Sequence, residues 1–160
     1  MADKTNVMRI LDSKKIAYTP RSYDPQVTEG TAVAEILGED ADRVYKTLVT
    51  VSDRGANFVF VIPVAGSLDL KKAAKAVGAK SLSMLRQKEL LPLTGYVHGG
   101  CSPIGMKKQF VTVIDDSALS HGSICVSAGR VGTQIELAPE ALAGLIRARF
   151  CAITVGGDGT

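Results

Sequence analysis

The sequence has few aromatic residues, few cysteines and no long hydrophobic run. Its 160 residues contain no Trp, and aromatic residues make up 5%, which disfavours a protein that reads single strands by stacking bases on aromatic side chains. The three cysteines, Cys101, Cys125 and Cys151, are too few for a disulfide framework or a zinc knuckle. The longest uncharged apolar run, residues 58–68, is too short to cross a bilayer. Because no apolar signal segment follows Met1, we expect a cytoplasmic protein with no membrane partner.

Histidine is also scarce, since the sequence holds only His98 and His121. Two histidines without the i, i+4 spacing of a helical ligand pair disfavour a metal site. No segment matches the Gly-x-Gly-x-x-Gly fingerprint or a Walker sequence, which disfavours dinucleotide and P-loop nucleotide binding. We therefore expect neither a metal nor another cofactor.

The length and composition suit one soluble domain. Apolar residues make up 46% of the chain and charged residues 22%, as in ordinary globular proteins and unlike disordered ones. A chain of 160 residues can bury one core but not comfortably two. We expect one domain over residues 1–155 and a flexible, glycine-rich tail over residues 156–160.

Basic residues are concentrated in the middle third of the chain. The formal net charge is +3, but the segment from Asp69 to Lys108 holds eight basic and two acidic residues, a net of +6 that leaves −3 elsewhere. Such a segment favours a polyanionic partner, and it is equally compatible with a solvated helix face. The eight basic residues are Lys71, Lys72, Lys75, Lys80, Arg86, Lys88, Lys107 and Lys108.

Hydrophobic spacing predicts helices and strands that are interspersed along the chain. Helices are predicted at residues 5–15, 31–37, 69–77 and from residue 139 onward. Strands are predicted at residues 18–23, 44–51, 58–62, 111–114, 124–127 and 133–137. Because the order lacks a strict βαβ period, it predicts a single α/β domain of the mixed α+β type. We expect a mixed, largely antiparallel sheet or partial barrel surrounded by helices.

Several finer features follow from individual residues. Asp69 is a predicted helix cap, and Gly78 is predicted to end the same helix. The run 58–62 is apolar on both faces and therefore predicts a central strand. In the last predicted strand, alternation places Gln134 and Glu136 on the outward face. Pro92 is expected to interrupt a helical turn at residues 89–93.

The loop Gly99-Gly-Cys-Ser-Pro103 is the strongest local signal of a site. Adjacent glycines let a ligand approach the backbone, and successive amide N–H groups can converge on a phosphate or on the oxyanion of an attacked ester. The alternative is an ordinary tight turn, which spacing alone favours. Residues 126–132 hold a second turn of small residues, which is either a hairpin loop or a second wall of the same pocket.

Two reactive side chains have two interpretations each. Lys46 shares a predicted strand face with Val44 and Leu48, so its ammonium either reaches water from an edge strand or projects into a polar pocket. Cys101 could act as a nucleophile only if a base generated its thiolate, and the proximity of His98 in sequence does not establish that contact. We expect Cys101→Ser to be tolerated.

Several motifs in a fixed order resemble the YbaK/EbsC family of freestanding aminoacyl-tRNA deacylases, which is related to the editing domain of bacterial prolyl-tRNA synthetase. The motifs are Tyr45-Lys-Thr-Leu48, residues 68–72, residues 94–108, and residues 126–129 with 135–137. The resemblance covers nearly the whole chain. It implies a trans-editing enzyme that hydrolyses the ester between a wrong amino acid and tRNA, with Cys-tRNA(Pro), and also Cys-tRNA(Cys), as the expected substrates.

The resemblance also implies roles for the residues that match its motifs. The substrate's own thiol is expected to attack the ester while the enzyme positions it, with Lys46 as the catalytic residue. The expected substrate-binding residues are Tyr23, Thr47, Gly99, Gly100, Cys101, Ser102, Pro103, Ser127 and Gly129. The expected contacts of the tRNA phosphates are Lys71, Lys72, Lys75, Lys107 and Lys108.

The sequence leaves alternatives open for the substrate, the function and the partner protein. Glu29 and Gln134 differ from residues that some relatives carry at the pocket rim, so removal of another amino acid, as from Ala-tRNA(Pro), remains open. A non-catalytic module that binds tRNA or a nucleotide is a second alternative. Prolyl-tRNA synthetase is a candidate partner in a ternary complex with tRNA, and no DNA partner is expected.

Overall fold

The structure, a computed structural model, describes residues 4–24 and 41–156. Glu29, the predicted helix at residues 31–37 and most of the predicted tail lie outside the described residues. The described ranges contain four α-helices: α1 (Asn6–Ser13), α2 (Leu70–Val77), α3 (Gln87–Thr94) and α4 (Pro139–Ile146). Eight strands accompany them: β1 (Thr19–Ser22), β2 (Tyr45–Ser52), β3 (Asn57–Pro63), β4 (Leu82–Met84), β5 (Val111–Asp115), β6 (Ile124–Arg130), β7 (Thr133–Leu137) and β8 (Arg149–Cys151).

The helix ends follow the capping residues in the sequence. The Asp69 carboxylate accepts hydrogen bonds from the backbone N–H groups of Lys71 and Lys72, and Gly78 ends α2 in the left-handed conformation at φ 72°. The Thr5 hydroxyl caps α1 by accepting from the Met8 N–H. Pro139 opens α4 at its first turn, where the missing N–H of proline has no helical partner to lose. The predicted cap at Asp69, the predicted stop at Gly78 and the predicted start of a helix at residue 139 are confirmed.

The strands form two sheets rather than the one that the sequence pattern suggested. One sheet has the order β1-β7-β6 and is antiparallel throughout. The other has the order β4-β2-β3-β5-β8, with β3, as predicted, at its centre. Its β4, β2 and β3 are antiparallel, whereas the β3–β5 and β5–β8 pairs are parallel, and the long connections between those strands supply the crossovers that parallel pairing requires. A single parallel bridge between Val44 and Cys125 joins the sheets, and within the described residues no closed barrel forms.

Pro92 does not interrupt its helix, contrary to the expectation from sequence. It lies inside α3, which runs from Gln87 to Thr94. Proline removes one helical hydrogen bond, but this helix has only two turns, and its end is held by other bonds. The Thr94 hydroxyl donates to the Leu90 carbonyl, and the Gly95 N–H donates to the Leu91 carbonyl.

Two apolar clusters hold the helices against the sheets. The main core joins α1, both sheets and α4, and includes Leu11, Tyr45, Val126, Ile135 and Leu142. The second cluster lies on the other face of the five-stranded sheet, where Phe60, Ile62 and Val113 pack against Ala73 and Ala74 of α2. Both faces of β3 are thus buried, which explains its continuous apolar run. Among the described residues, no helix has the length and apolar character needed to span a membrane.

Candidate functional site

The predicted glycine loop is held at its base by buried polar contacts. The Tyr96 hydroxyl donates to the Ile104 carbonyl across the loop, and the Lys107 N–H donates to the Thr94 carbonyl at its exit. The Thr94 hydroxyl oxygen also accepts from the Tyr96 N–H at 3.0 Å. Burial raises the pKa of Tyr96 to about 12, so this hydroxyl stays protonated and remains a donor. The loop therefore has a defined conformation although it contains no regular structure.

The glycine loop packs directly on the turn between β6 and β7. A Cβ on Gly100 would lie 2.9 Å from the Val131 amide nitrogen and 3.0 Å from the Arg130 Cα. Since both neighbours are backbone atoms, no side-chain rotation could make room, and the approach requires glycine. The structure thus brings the loop and Ser127–Gly129, which the sequence offered as two walls of one pocket, to the same end of the three-stranded sheet.

Three backbone N–H groups of this loop take no part in the hydrogen bonding of the described residues. Among the described residues, the N–H groups of Gly99, Cys101 and Ser102 donate no hydrogen bond to protein atoms. The Gly100 N–H, by contrast, donates to the Val97 carbonyl at 2.9 Å, and Pro103 has no N–H to offer. Gly99 is exposed, whereas Cys101 is 7% exposed and Ser102 is fully buried, and the contact of this loop with a ligand stays a prediction.

Arg21, Ser127 and Gln134 share one face of the three-stranded sheet. Ser127 on β6 pairs with Gln134 on β7, which pairs with Arg21 on β1. We call the face that carries these three side chains the outer face, because the opposite face, with Val126 and Ile135, packs into the main core. The Tyr23 N–H donates to the Gly132 carbonyl, which fixes this residue at the same end of the sheet.

Lys46 lies at the junction of the two sheets. The Val44–Cys125 bridge is parallel, and two residues further along each strand are Lys46 and Ser127, which project on the same side as the bridged pair. The Lys46 side chain is partly buried, and this burial lowers the pKa of its ammonium below the ordinary 10.5. None of the hydrogen bonds or ion pairs of the described residues engages it. A partly desolvated lysine without a carboxylate partner is typical of a functional position.

Thr47 does not share the face of Lys46. It pairs with Val61, and its neighbours Tyr45 and Val49 belong to the main core, so strand alternation directs its side chain to the opposite side of β2. Its hydroxyl oxygen is buried and has no hydrogen-bond partner among the described residues. The predicted contact of Thr47 with substrate stays a prediction, and its side chain is not brought together with the ammonium of Lys46.

The backbone of Cys101 belongs to the glycine loop, but its side chain points into the protein core. It is 7% exposed and belongs to the main apolar core. Burial raises the pKa of its thiol to about 12, although the neighbouring Thr94 hydroxyl acts in the opposite direction. At neutral pH the thiol is protonated, which argues against the nucleophile interpretation. The Ser102 hydroxyl is also engaged, since it accepts from the Ile104 N–H.

The predicted phosphate contacts lie on two separate elements. Lys71 and Lys75 are exposed on α2, while the ammonium of Lys72 donates to the Thr154 carbonyl. A cavity of about 490 Å³ lies between α2 and β4 and is lined in part by Lys71, Lys75 and Lys80. Lys107 and Lys108 are exposed on the segment after the glycine loop. No group of three His, Cys, Asp or Glu residues in the described ranges could hold a metal ion.

The comparison with known families agrees with this geometry. Residues 24–145 match the family described as the aminoacyl-tRNA editing domain. This chain belongs to that family. Editing of aminoacyl-tRNA is a deacylation, and the protein is an enzyme of that class, as the motifs in the sequence predicted.

Individual relatives are consistent with the family. The chain is 48% identical over 155 residues to the Enterococcus faecalis protein named "Putative Cys-tRNA(Pro)/Cys-tRNA(Cys) deacylase EbsC", an alignment that covers 94% of this chain and 93% of the relative. It is 34% identical over 83 residues to the proline–tRNA ligase of Shouchella clausii, covering 52% of this chain and 14% of that enzyme.

Solved structures share the fold at lower identity. A structure described as "a putative trans-editing enzyme for prolyl tRNA synthetase" superposes with a TM-score of 0.82 at 21% identity and covers 96% of this chain and 100% of its own. The hypothetical protein APE2540 gives a TM-score of 0.85 at 22% identity, with 92% and 98% covered. These similarities confirm the mixed α+β fold.

Two residues at the site were underestimated from the sequence. Tyr96, identified only as part of a motif, is the buried anchor of the glycine loop. Gln134 was expected to face outward, and it does lie opposite the main core, but it is only 7% exposed. The sequence showed only that Gln134 alternates with its neighbour Ile135 and so lies on the opposite face, and its pairing with Ser127 could not be read from sequence.

Proposed function

We propose that this protein removes cysteine from mischarged Cys-tRNA(Pro), and also from Cys-tRNA(Cys), by holding the acceptor end so that the thiol of the substrate attacks its own ester. The single observation that carries the proposal is the partly buried ammonium of Lys46, which has no hydrogen-bond or ion-pair partner among the described residues and lies on the same side as Ser127. The relationship at 48% identity to a protein named as a deacylase of these two tRNAs supports the choice of amino acid.

The proposed reaction needs no nucleophile from the protein. The cysteinyl sulfur forms a bond with the ester carbonyl carbon, the bond from that carbon to the ribose oxygen breaks, and the ribose oxygen receives the proton that the thiol releases. The amino acid leaves as a cyclic thioester, which water can open. A thiol, with an ordinary pKa near 8.5, supplies its anion far more readily than a serine hydroxyl.

The chain's own groups would position and stabilise the reacting ester. Orienting two reacting groups contributes roughly 7–11 kcal/mol to a rate, and one well-placed donor to an oxyanion contributes about 3–4 kcal/mol. The N–H groups of Gly99 and Cys101, which have no hydrogen-bond partner among the described residues, are candidates for the oxyanion donors. The Lys46 ammonium would attract the developing negative charge, and Tyr23 would complete the pocket wall.

The tRNA backbone would dock on the lysine-lined surface of the protein. The cavity between α2 and β4 brings Lys71, Lys75 and Lys80 together, and three ammonium groups around a groove suit successive phosphates. Lys107 and Lys108 would contact a second part of the acceptor stem, next to the glycine loop. Prolyl-tRNA synthetase would be the partner that releases mischarged tRNA to the enzyme, in the cytoplasm.

The proposal is tested by deacylation of a panel of aminoacyl-tRNAs with the purified protein. We expect release of cysteine from Cys-tRNA(Pro) at least tenfold faster than release of alanine from Ala-tRNA(Pro) or of proline from Pro-tRNA(Pro). Faster release of alanine would reassign the amino acid. Binding of tRNA with no release from any member of the panel would favour a non-catalytic binding module, for which the basic groove between α2 and β4 would be the interface.

A further inference from the structure

The outer face contains a buried amide carbonyl oxygen that has no hydrogen-bond partner in the part of the chain that the structure describes. Gln134 is 7% exposed, and its Oε1 atom accepts no hydrogen bond from the described residues. Burying an amide oxygen without a hydrogen bond destabilises a fold, and most buried polar atoms in native proteins are paired. The position of this oxygen therefore requires an explanation other than stability.

The neighbours of Gln134 on this face are already engaged. Glu136 accepts from the Arg21 guanidinium at 2.7 Å and from the Ser123 hydroxyl. The Ser127 hydroxyl oxygen accepts from the Gly129 N–H at 3.1 Å. The Oε1 atom of Gln134 thus stands out on the outer face as a buried acceptor left unpaired.

Its register places this acceptor at the proposed site. Gln134 is directly paired with Ser127, and paired residues on adjacent strands have Cβ atoms about 5 Å apart. Ser127 in turn is two residues beyond the bridge that leads to Lys46 on β2. A ligand held between Lys46 and the glycine loop would therefore lie within reach of the glutamine amide.

We infer that Gln134 is a specificity-determining residue, whose Oε1 atom accepts a hydrogen bond from the α-ammonium group of the bound aminoacyl end. This inference rests on the proposed function. An amino acid esterified to tRNA has lost its carboxylate and keeps its ammonium, a cationic donor that forms a stronger bond with a carbonyl than a neutral donor does.

A structural role and a ligand-binding role predict opposite effects on stability. If the Gln134 amide stabilised the fold, its replacement by Met, which has a similar length and no amide, would lower the melting temperature. If the Gln134 oxygen binds a ligand and does not stabilise the fold, Gln134→Met removes a buried polar atom that has no partner among the described residues. The melting temperature should then stay the same or rise. Gln109→Met is the matched control, because the Gln109 amide already donates to the Ile146 carbonyl away from the outer face.

The test uses a stable probe, adenosine carrying cysteine through an amide at the 3′ position, and measures its binding by calorimetry. We expect Gln134→Met to weaken binding at least tenfold without lowering the melting temperature, and Gln109→Met to bind as the parent does. Gln134→Glu, which keeps acceptor oxygens, should bind within about threefold of the parent. The N-acetylated probe, which lacks the ammonium, should bind at least tenfold more weakly to the parent and lose no further affinity with Gln134→Met.

The outcomes separate this inference from the proposed function. Equal binding by the parent and Gln134→Met, no binding by the parent, loss of binding by Gln134→Glu, or a lower melting temperature for Gln134→Met would each overturn the inference. An additional loss with the N-acetylated probe would overturn the assignment of the ammonium. Tight, Gln134-dependent binding without release of cysteine from any tRNA would support the inference and refute the proposed catalysis.

Discussion

At the scale of single residues, the proposed chemistry depends on the position of one ammonium group. Lys46 lies in a β-strand, is partly buried and engages no carboxylate among the described residues. An edge lysine that only improves solubility would keep its ordinary pKa in water. Burial lowers the pKa of Lys46, so the incompletely solvated charge at this position lowers the free energy of unfolding.

We predict that Lys46→Met lowers kcat/KM for deacylation at least a hundredfold without lowering the melting temperature at pH 7. The charged form of this lysine is disfavoured by burial, so its removal should not destabilise the fold, and any gain in stability should fade as pH rises through the lowered pKa. Lys14→Met, at an exposed lysine after α1, is the control. Deacylation by Lys46→Met at the parental rate would remove this residue from the reaction.

A second residue-scale prediction concerns Cys101. Its pKa in the folded protein is raised to about 12, and those of Tyr45 and Tyr96 are also raised to about 12. Above roughly pH 9 the unfolded chain releases protons that the folded chain retains, so the free energy of unfolding should fall as pH rises from about 9 to 12. Cys101→Ala should reduce this slope by up to about 1.4 kcal/mol per pH unit.

Denaturant titrations at several pH values measure that slope. Parallel pH profiles for the parent and Cys101→Ala would contradict the raised thiol pKa. Cys101→Ala and Cys101→Ser should both retain deacylase activity, because the thiol is buried and protonated. Loss of activity in Cys101→Ser, with the fold intact, would instead restore the cysteine-nucleophile hypothesis.

At the scale of elements, the glycine loop and the turn between β6 and β7 act as one unit. We predict that Gly100→Ala lowers kcat/KM at least tenfold and lowers the melting temperature by several degrees. Its Cβ would meet the Val131 nitrogen and Arg130 Cα at 2.9 and 3.0 Å, so the loop must move away from the hairpin. Gly122→Ala is the control, since no atom lies within 4 Å of that Cβ. Equal effects of the two substitutions would contradict the role of this contact.

Elements whose signals are local were predictable from sequence. The cap at Asp69, the stop at Gly78 and the central strand β3 depend on neighbouring residues or on a short apolar run, and all three are confirmed. The strands β4 and β8 were missed. Each has three residues and lies at an edge of the five-stranded sheet, so each exists because a neighbouring strand offers unpaired backbone groups, which no local pattern reports.

The candidate site was predictable in its parts and not in its assembly. Residue types identified the glycine loop and Lys46, and strand alternation places Thr47 on the side opposite Lys46, but only the structure shows that this opposite side packs into the main core. The burial of Gln134 depends on the β6–β7 register and on what covers the outer face. Such facts arise from pairing between distant segments, so they required the structure.

At the scale of the whole molecule, exposed lysines lie on more than one element, at the α2–β4 cavity and after the glycine loop. A bound tRNA is therefore expected to contact both places. We predict that replacing Lys71, Lys75 and Lys80 with Gln weakens tRNA binding and reduces the slope of log affinity against log salt by about 2–3, since each phosphate contact contributes about 0.9. The matched control replaces Lys14, Lys15 and Arg54, three exposed cations outside the α2–β4 cavity. The same change in slope for both triple variants would mean that net charge, and not this groove, binds the tRNA.

The most direct measurement compares the release of cysteine from Cys-tRNA(Pro) with the release of serine from Ser-tRNA(Pro) by the same preparation. The two substrates differ in one atom, sulfur or oxygen, so binding and positioning are nearly matched. Because the pocket is proposed to supply orientation, amide donors and one ammonium but no nucleophile, the account predicts that cysteine is released at least a hundredfold faster. Equal rates for the two substrates would contradict it.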